Sequence, residues 1–107
     1  SFGGYHNGFK SAKHGDIFYG VMPECSSFGS GGFKSVTFVA SHELIEAVTD
    51  PFPTPGSSPA YPQAWNAADG NEIADLCSSS TTLKGPKADY NISMEWSNSR
   101  NRCYDGK

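Results

Sequence analysis

The chain has 107 residues, a formal net charge of −3 and a sequence pI near 5.4. This length suits a single domain, residues 1–107, with a core modest enough for a disulfide or a bound ion to add materially to its stability. The basic residues are scattered singly and no apolar run is long enough to cross a bilayer, which argues against a nucleic-acid partner and a membrane span.

The amino-terminal third predicts one short strand between loops. Residues 1–16 are rich in Gly and turn formers, and there is neither an initiator Met nor a signal-like start, so we expect Ser1 to mark a processed or excised part of a longer precursor. Residues 17–22, "IFYGVM", read as a strand that Pro23 ends, and residues 24–35 read as a loop.

One helix is predicted over residues 36–49, "VTFVASHELIEAVT", because this run contains neither Gly nor Pro. Ser35 is the expected N-cap, and Pro51 disfavours helical conformation in the residue before it. Apolar residues recur at intervals of three and four, which predicts a buried stripe opposite a polar face that carries His42, Glu46 and Thr49. The members of the stripe are Val36, Ala40, Leu44, Ala47 and Val48.

The second half of the chain predicts loops and one further strand. Residues 51–62 carry five of the seven prolines and read as an extended surface loop. Residues 72–76 fit a helical turn or a strand equally well, and residues 78–89 read as a loop. Residues 90–96, "YNISMEW", alternate apolar and polar side chains as a strand does. We therefore expect a loop-rich α+β domain, in which a small, mostly antiparallel sheet containing 17–22 and 90–96 packs on the helix 36–49.

The stretch "SHELIE" places His42 and Glu46 four residues apart, so that both side chains project from one face of the helix and can reach one ion. A zinc peptidase helix reads His-Glu-x-x-His, and here Glu46 takes the place of the second histidine. Zinc accepts carboxylate oxygen as well as imidazole nitrogen, so the substitution keeps a ligand. Glu43 is rotated about 100° around the helix from His42 and is placed to act as a general base on a water molecule.

A catalytic zinc site needs a third protein ligand. Glu72 and Asp75, in the acidic segment "NEIAD", are the predicted completing ligands, with His6 and His14 as other nitrogen donors. Asp50 lies about 12 Å along the helix axis from His42 and is expected to cap or orient. Taken alone, polar residues four apart on a helix most often mark a solvated face, so the five-residue pattern by itself is a weak signal.

Three cysteines, Cys25, Cys77 and Cys103, occur among many Gly, Ser, Asn and aromatic residues, a balance typical of secreted proteins. A Cys77–Cys103 bridge would close a loop of about 25 residues and contribute on the order of 3 kcal/mol. Cys25 would then be left over.

Four motifs in order, "GYH", "SHELIEAVTDP", "NEIADLC" and "WSNSRNRC", together resemble an extracellular family of secreted bacterial proteins related to the plant phosphate-induced, EXORDIUM-like proteins. The resemblance spans Tyr5 to Cys103. It implies secretion, a zincin-like helix and a structural Cys77–Cys103 pair. Relatives often carry Cys where this chain has Gly4, which leaves Cys25 without its obvious partner.

These observations predict a secreted, zinc-dependent, metallopeptidase-like hydrolase. One zinc ion would be held by His42 and Glu46 with Glu72 or Asp75, Glu43 would act as general base, and the substrate would be a peptide or protein. The alternative is a non-catalytic extracellular module that binds cell-wall glycan or protein through Trp65 and Tyr61. A third hypothesis is a calcium-stabilised domain that uses Asp50, Asp69 and Glu72.

Overall fold

The computed structural model describes residues 3–24, 32–53 and 64–107. Within these ranges, one helix and six short strands form an α+β domain, which confirms the predicted class. The strands make three two-stranded antiparallel sheets, β1–β2, β3–β4 and β5–β6, so the predicted strand regions lie in different sheets. The elements in chain order are β1 (Tyr5–Ser11), β2 (Gly15–Val21), α1 (Gly32–Thr49), β3 (Ser80–Lys84), β4 (Asp89–Ser93), β5 (Glu95–Ser97) and β6 (Arg102–Tyr104).

The first hairpin pairs β1 with β2 from Tyr5 opposite Val21 to Ser11 opposite Gly15. Gly15 has a φ of 73°, a left-handed conformation that glycine adopts without steric cost at the end of the connecting turn. The expected strand at 17–22 is thus confirmed as β2, whereas β1 was not predicted. The sequence of β1 shows no alternation of apolar and polar residues, so periodicity did not indicate a strand. The one buried residue of β1 is His6, which is polar.

Helix α1 begins at Gly32 rather than after Ser35, so the predicted N-cap is wrong. The ring of Phe33 packs against Tyr90 with 5.6 Å between centroids, a tertiary contact that supports the additional first turn. No member of the predicted stripe is fully buried: Val36, Ala40 and Ala47 are half-buried, whereas Leu44 is 67% exposed and Val48 is 69% exposed. The buried residues of the helix are Glu43 and Glu46, so its most deeply buried side is polar.

Helix α1 contacts β1 and β2 of the first hairpin and β4 of the second. Contact with β4 is made by hydroxyl groups. Thr37 Oγ1 accepts a hydrogen bond from Asn91 N at 3.2 Å and lies 3.0 Å from Asn91 O, and Ser41 Oγ accepts from Ser93 N at 2.8 Å. Thr37 and Ser41, four residues apart on the helix, thus bind the backbone of Asn91 and Ser93, two residues apart on the strand. The edge of β4 that faces α1 is therefore hydrogen-bonded by side chains of the helix.

The predicted strand over 90–96 is interrupted at Met94, where β4 ends and β5 begins. Met94 N donates to Ser79 O at 3.1 Å, and Trp96 N donates to Ile73 O at 2.9 Å. The second of these bonds ties β5 to residues 73–76, which form turns and not a strand or an α-helix. The loop predicted over 78–89 contains β3, which was missed because its residues Ser80–Lys84 are mostly polar and exposed.

A disulfide joins Cys77 to Cys103, as the resemblance implied. It links the 73–76 turns to β6. Among the described residues the buried hydrophobic side chains are Ala74 and Cys77, whereas the buried polar ones are His6, Glu43, Glu46, Asp50 and Ser93. The centre of the domain is therefore mainly polar. No helix in the described part of the chain is long and apolar enough to span a membrane.

Cys25 and residues 54–62 of the proline-rich segment fall outside the described residues.

Candidate metal centre

The buried polar residues of α1 open into a cavity of about 520 Å³. One wall carries His42, Glu43 and Glu46 from the helix, and the amino-terminal strand and the acidic 72–75 segment close the other sides. Its remaining lining is largely apolar or small, with Gly3, Gly4, Tyr5, Phe38, Val39 and Pro53. Four carboxylates and two imidazoles thus converge in one cavity beside apolar and small residues, which is typical of a binding site.

His42, Glu46 and Asp75 form the first of two groups whose geometry could hold a metal ion. His42 Nε2 lies 3.1 Å from Glu46 Oε1 and 3.3 Å from Asp75 Oδ1. Asp75 is exposed, so this group lies at the accessible side of the cluster. Asp75 is oriented by its second oxygen, because Oδ2 accepts a hydrogen bond from Glu72 N at 3.0 Å.

His6, Glu43 and Glu46 form the second group, and all three residues are buried. His6 Nδ1 lies 3.2 Å from Glu43 Oε2 and 3.9 Å from Glu46 Oε2. The other ring nitrogen, Nε2, donates to the backbone carbonyl of Asp50 at 3.0 Å. Asp50 was expected to cap or orient, and its backbone carbonyl holds the ring of His6 in orientation. The Asp50 carboxylate accepts a separate hydrogen bond from Ala64 N.

Glu46 belongs to both groups, with one oxygen directed toward each imidazole. Only 3% of its surface is exposed, and its Oε1 has no hydrogen-bond partner although His42 Nε2 is 3.1 Å away. Glu72 Oε2 is likewise buried without a hydrogen bond and lies 3.4 Å from His6 Nε2. Each of these buried oxygens therefore has an imidazole nearby but no aligned hydrogen bond, and a cation would complete its surroundings.

The local charges shift both imidazoles in the same direction. Burial lowers the pKa of His6, but the hydrogen bond to Glu43, the Asp50 carbonyl and nearby carboxylates outweigh burial and raise it to about 9. Burial also lowers the pKa of His42, and Asp75 and Glu46 outweigh it and raise that pKa to about 10. Each ring is thus surrounded by groups that favour a positive charge, whether from a proton or from a metal ion.

The carboxyl groups of the acidic segment respond differently to this environment. Burial and the charge of Glu46 raise the pKa of Glu72 to about 7. The hydrogen bond from His42 lowers the pKa of Asp75 despite its partial burial. Asp75 is therefore the better charged partner for His42, and Glu72 lies where negative charge is already in excess.

His42 also has a suitable neighbour for its second ring nitrogen. Ser93 Oγ donates to the carbonyl of Met94 at 3.2 Å, which leaves a lone pair for His42 Nδ1, 3.5 Å away. A metal-binding histidine commonly donates its other ring N–H to such an acceptor, which fixes the ring orientation. Nothing in the sequence singled out Ser93, because its role depends on contact between β4 and α1.

The structure brings the predicted residues into one cluster but divides them between the two histidines. Asp75 lies with His42 and Glu46, whereas Glu43 and Glu72 lie on the side of His6. The sequence indicated His6 only as another possible nitrogen donor, and its place in the "GYH" motif was the one signal that singled it out.

Other predicted residues lie away from the cluster. His14 is exposed in the turn between β1 and β2. Asp69 accepts hydrogen bonds from Asn71 within its own turn and belongs to neither metal-binding group of the described residues. Trp65 lines a separate cavity of about 400 Å³ with Trp96, and Tyr61 is outside the described residues.

Comparison of the chain with protein-family models, with curated proteins and with solved structures finds no match. The resemblance to the phosphate-induced proteins therefore stays a prediction, and function is inferred here from the geometry of the site.

Proposed function

We propose that this domain is a zinc-dependent hydrolase of the metallopeptidase type, with the ion held by His42, Glu46 and Asp75. The observation that carries the proposal is the buried Glu46 carboxylate, whose Oε1 faces His42 without a hydrogen bond. This favours a metal centre over a purely solvated helix face and over a binding module without an ion.

The donor set fits zinc. One imidazole nitrogen and two carboxylate oxygens supply three zinc-compatible ligands, the number that a catalytic zinc site uses, with room for substrate or water at the exposed side near Asp75. Zinc bound there would supply Lewis acidity, polarising a substrate carbonyl and lowering the pKa of water. Glu72 lies at the side of His6, so Asp75 is the better third ligand of the two predicted.

Glu43 is the proposed general base. Its Oε2 accepts a hydrogen bond from His6 Nδ1, and His6 is held in turn by the Asp50 carbonyl, so the carboxylate is fixed in orientation. In peptide hydrolysis Glu43 would accept a proton from the attacking water and then donate it to the leaving amine nitrogen, which balances the reaction. His6 thereby acts as a positioning residue for Glu43.

The cavity suits an extended peptide with an apolar side chain. Phe38, Val39 and Pro53 provide apolar surface beside the charged cluster. We also propose that the protein acts outside the cell. The Cys77–Cys103 disulfide supports this location because such bonds persist in oxidising compartments.

The test combines metal analysis with peptide hydrolysis by the purified chain. We expect bound zinc, hydrolysis that chelation abolishes and zinc restores, and loss of at least 100-fold in turnover for Glu43→Gln because the general base is removed. Glu43→Gln should retain the ion at His42, whereas His42→Ala should lose that ion together with activity.

His14→Ala is the matched control, since His14 is an exposed histidine in a hairpin turn. It should leave both zinc content and turnover unchanged. Absence of bound metal at micromolar zinc, or full turnover in Glu43→Gln, would contradict the proposed function.

A further inference from the structure

We propose that the same cavity binds a second divalent cation, held by His6, Glu43 and Glu46, so that Glu46 bridges two ions. This inference rests on the proposed function, because it takes the ion at His42, Glu46 and Asp75 as the first of the pair. It changes a one-ion site into a two-ion centre and gives His6 the role of a metal ligand.

The spacing of the donor atoms supports both positions. Ligands at about 2.0–2.2 Å from a tetrahedral ion lie roughly 3.4 Å from one another. In the group at His42, the nitrogen-to-oxygen separations are 3.1 and 3.3 Å. In the group at His6 they are 3.2 and 3.9 Å. The second group therefore needs only a small adjustment to surround an ion.

The orientation of His6 is that of a metal ligand. Its Nε2–H donates to the carbonyl of Asp50, an acceptor that lies outside the donor group. Nδ1 therefore faces the carboxylates of Glu43 and Glu46. A neutral imidazole would direct a lone pair at these oxygens, an arrangement that a cation between them makes favourable.

Glu46 has the geometry of a bridging carboxylate. Its Oε2 faces His6 and its Oε1 faces His42, so one oxygen is available to each ion. Only 3% of the residue's surface is exposed, and Oε1 has no hydrogen-bond partner among the described protein atoms. A carboxylate shared in this way would hold two ions close together, and in two-metal hydrolytic centres the paired ions stabilise the attacking and leaving oxygens.

The charge of the cluster also favours two cations. Five acidic residues lie around two imidazoles, namely Glu43, Glu46, Asp50, Glu72 and Asp75. A single divalent ion would leave several of these buried or half-buried charges uncompensated, and uncompensated buried charge is strongly unfavourable. A second ion at His6 Nδ1 would lie beside the Glu43 and Glu46 oxygens, which are 3.2 and 3.9 Å from that nitrogen, whereas Glu72 Oε2 lies 3.4 Å from the other ring nitrogen, Nε2.

The two roles given to Glu43 fall on different oxygens. Oε2 faces His6 and would bind the second ion, whereas Oε1 lies toward Gly4, where a Cβ atom would come within 2.9 Å of it. The second ion therefore takes Oε2, and we assign the role of proton acceptor to Oε1.

Zinc and manganese are the probes for this centre, since both accept imidazole and carboxylate ligands. Native mass spectrometry of the zinc-loaded chain should give two ions per molecule. Electron paramagnetic resonance of the manganese-loaded chain should give an exchange-coupled spectrum, which requires that the two ions share a ligand. Two ions without coupling would place the second elsewhere and overturn the inference.

The variants separate this inference from the proposed function. His6→Ala should bind one zinc and lose the coupled spectrum, His42→Ala should also bind one, and His14→Ala should bind two. One ion in the wild-type chain would overturn the inference and leave the proposed function standing, whereas no ion would overturn both. If His6→Ala does not fold, the number of zinc ions bound by the wild-type chain and the spectrum of its manganese-loaded form still test the inference.

Discussion

Glu46 is the residue on which the site depends, because its two oxygens face two different histidines. The four-residue spacing of His42 and Glu46 could be predicted from helix geometry alone. His6, 37 residues from Glu43 in the chain, could not be assigned a partner from sequence, since their contact depends on how β1 docks on α1.

Gly4 controls how closely the amino-terminal strand approaches the helix. A Cβ atom at this position would lie 2.5 Å from Val39 Cγ1, 2.9 Å from Glu43 Oε1 and 3.0 Å from the carbonyl of Val21. One of these neighbours is backbone, so the added methyl group cannot be accommodated by side-chain movement alone. The cavity wall therefore requires glycine here.

We predict that Gly4→Ala destabilises the fold by about 1–3 kcal/mol, the usual cost of overpacking, and weakens zinc binding by displacing Glu43. Urea unfolding and zinc titration measure the two effects. Gly3→Ala is the control, because its Cβ would lie at an ordinary 3.5 Å from Val39 Cγ2. Equal stability of the two variants would contradict the close approach.

At the scale of elements, α1 differs from an amphipathic surface helix, because its most deeply buried side chains are acidic and two of its large apolar side chains are exposed. Its hydroxyl groups hold β4 and its carboxylates line the cavity, while Leu44 and Val48 are exposed. Periodicity predicted the helix but placed Leu44 and Val48 in the interior and Glu46 on the polar face, because hydrophobicity was taken as the measure of burial. Glu43 and Glu46 are buried because the imidazoles of His6 and His42 lie beside their carboxylates.

We predict that Ser41→Ala costs about 1–3 kcal/mol, because it leaves the N–H of the fully buried Ser93 without an acceptor. Leu44→Gln, three residues later on the same helix, should change stability by no more than about 0.5 kcal/mol. Urea denaturation of both variants makes the comparison. A larger loss for Leu44→Gln would indicate that this face is covered in solution.

At the scale of the whole molecule, residues 3–24, 32–53 and 64–107 are held around a charged centre rather than a large apolar core. The disulfide ties the carboxyl-terminal hairpin to the acidic turn that carries Asp75, so chain connectivity supports one wall of the site. A metal ion would support the centre, as is common in domains of this size.

The metal-free protein should lose stability as pH rises. The pKa values of His6 and His42 are raised in the fold to about 9 and about 10, so their contribution is complete below pH 6.5 and disappears as pH passes through those values. Glu72, whose pKa is raised to about 7, acts in the same direction: its contribution is present below pH 4.5 and is lost as pH rises through about 7.

Urea midpoints at pH 6, 8 and 10, measured with and without a chelator, test this dependence. The chelated protein should become progressively less stable over this range, and zinc should reduce the decline because the ion replaces the protons on the imidazoles. An equal decline with and without zinc would argue against metal binding at these histidines.

The sequence by itself determined the helix, the His42–Glu46 spacing, the general position of two strand regions and the acidic segment that reaches the site. These features depend on neighbours three to five residues apart or on local alternation. The tertiary structure alone decided that the polar side of α1 is buried, that the strands form three sheets and that His6 shares Glu46 with His42. Those outcomes depend on contacts between residues distant in the chain, where hydrogen bonds and charge, and not hydrophobic periodicity, select the packing.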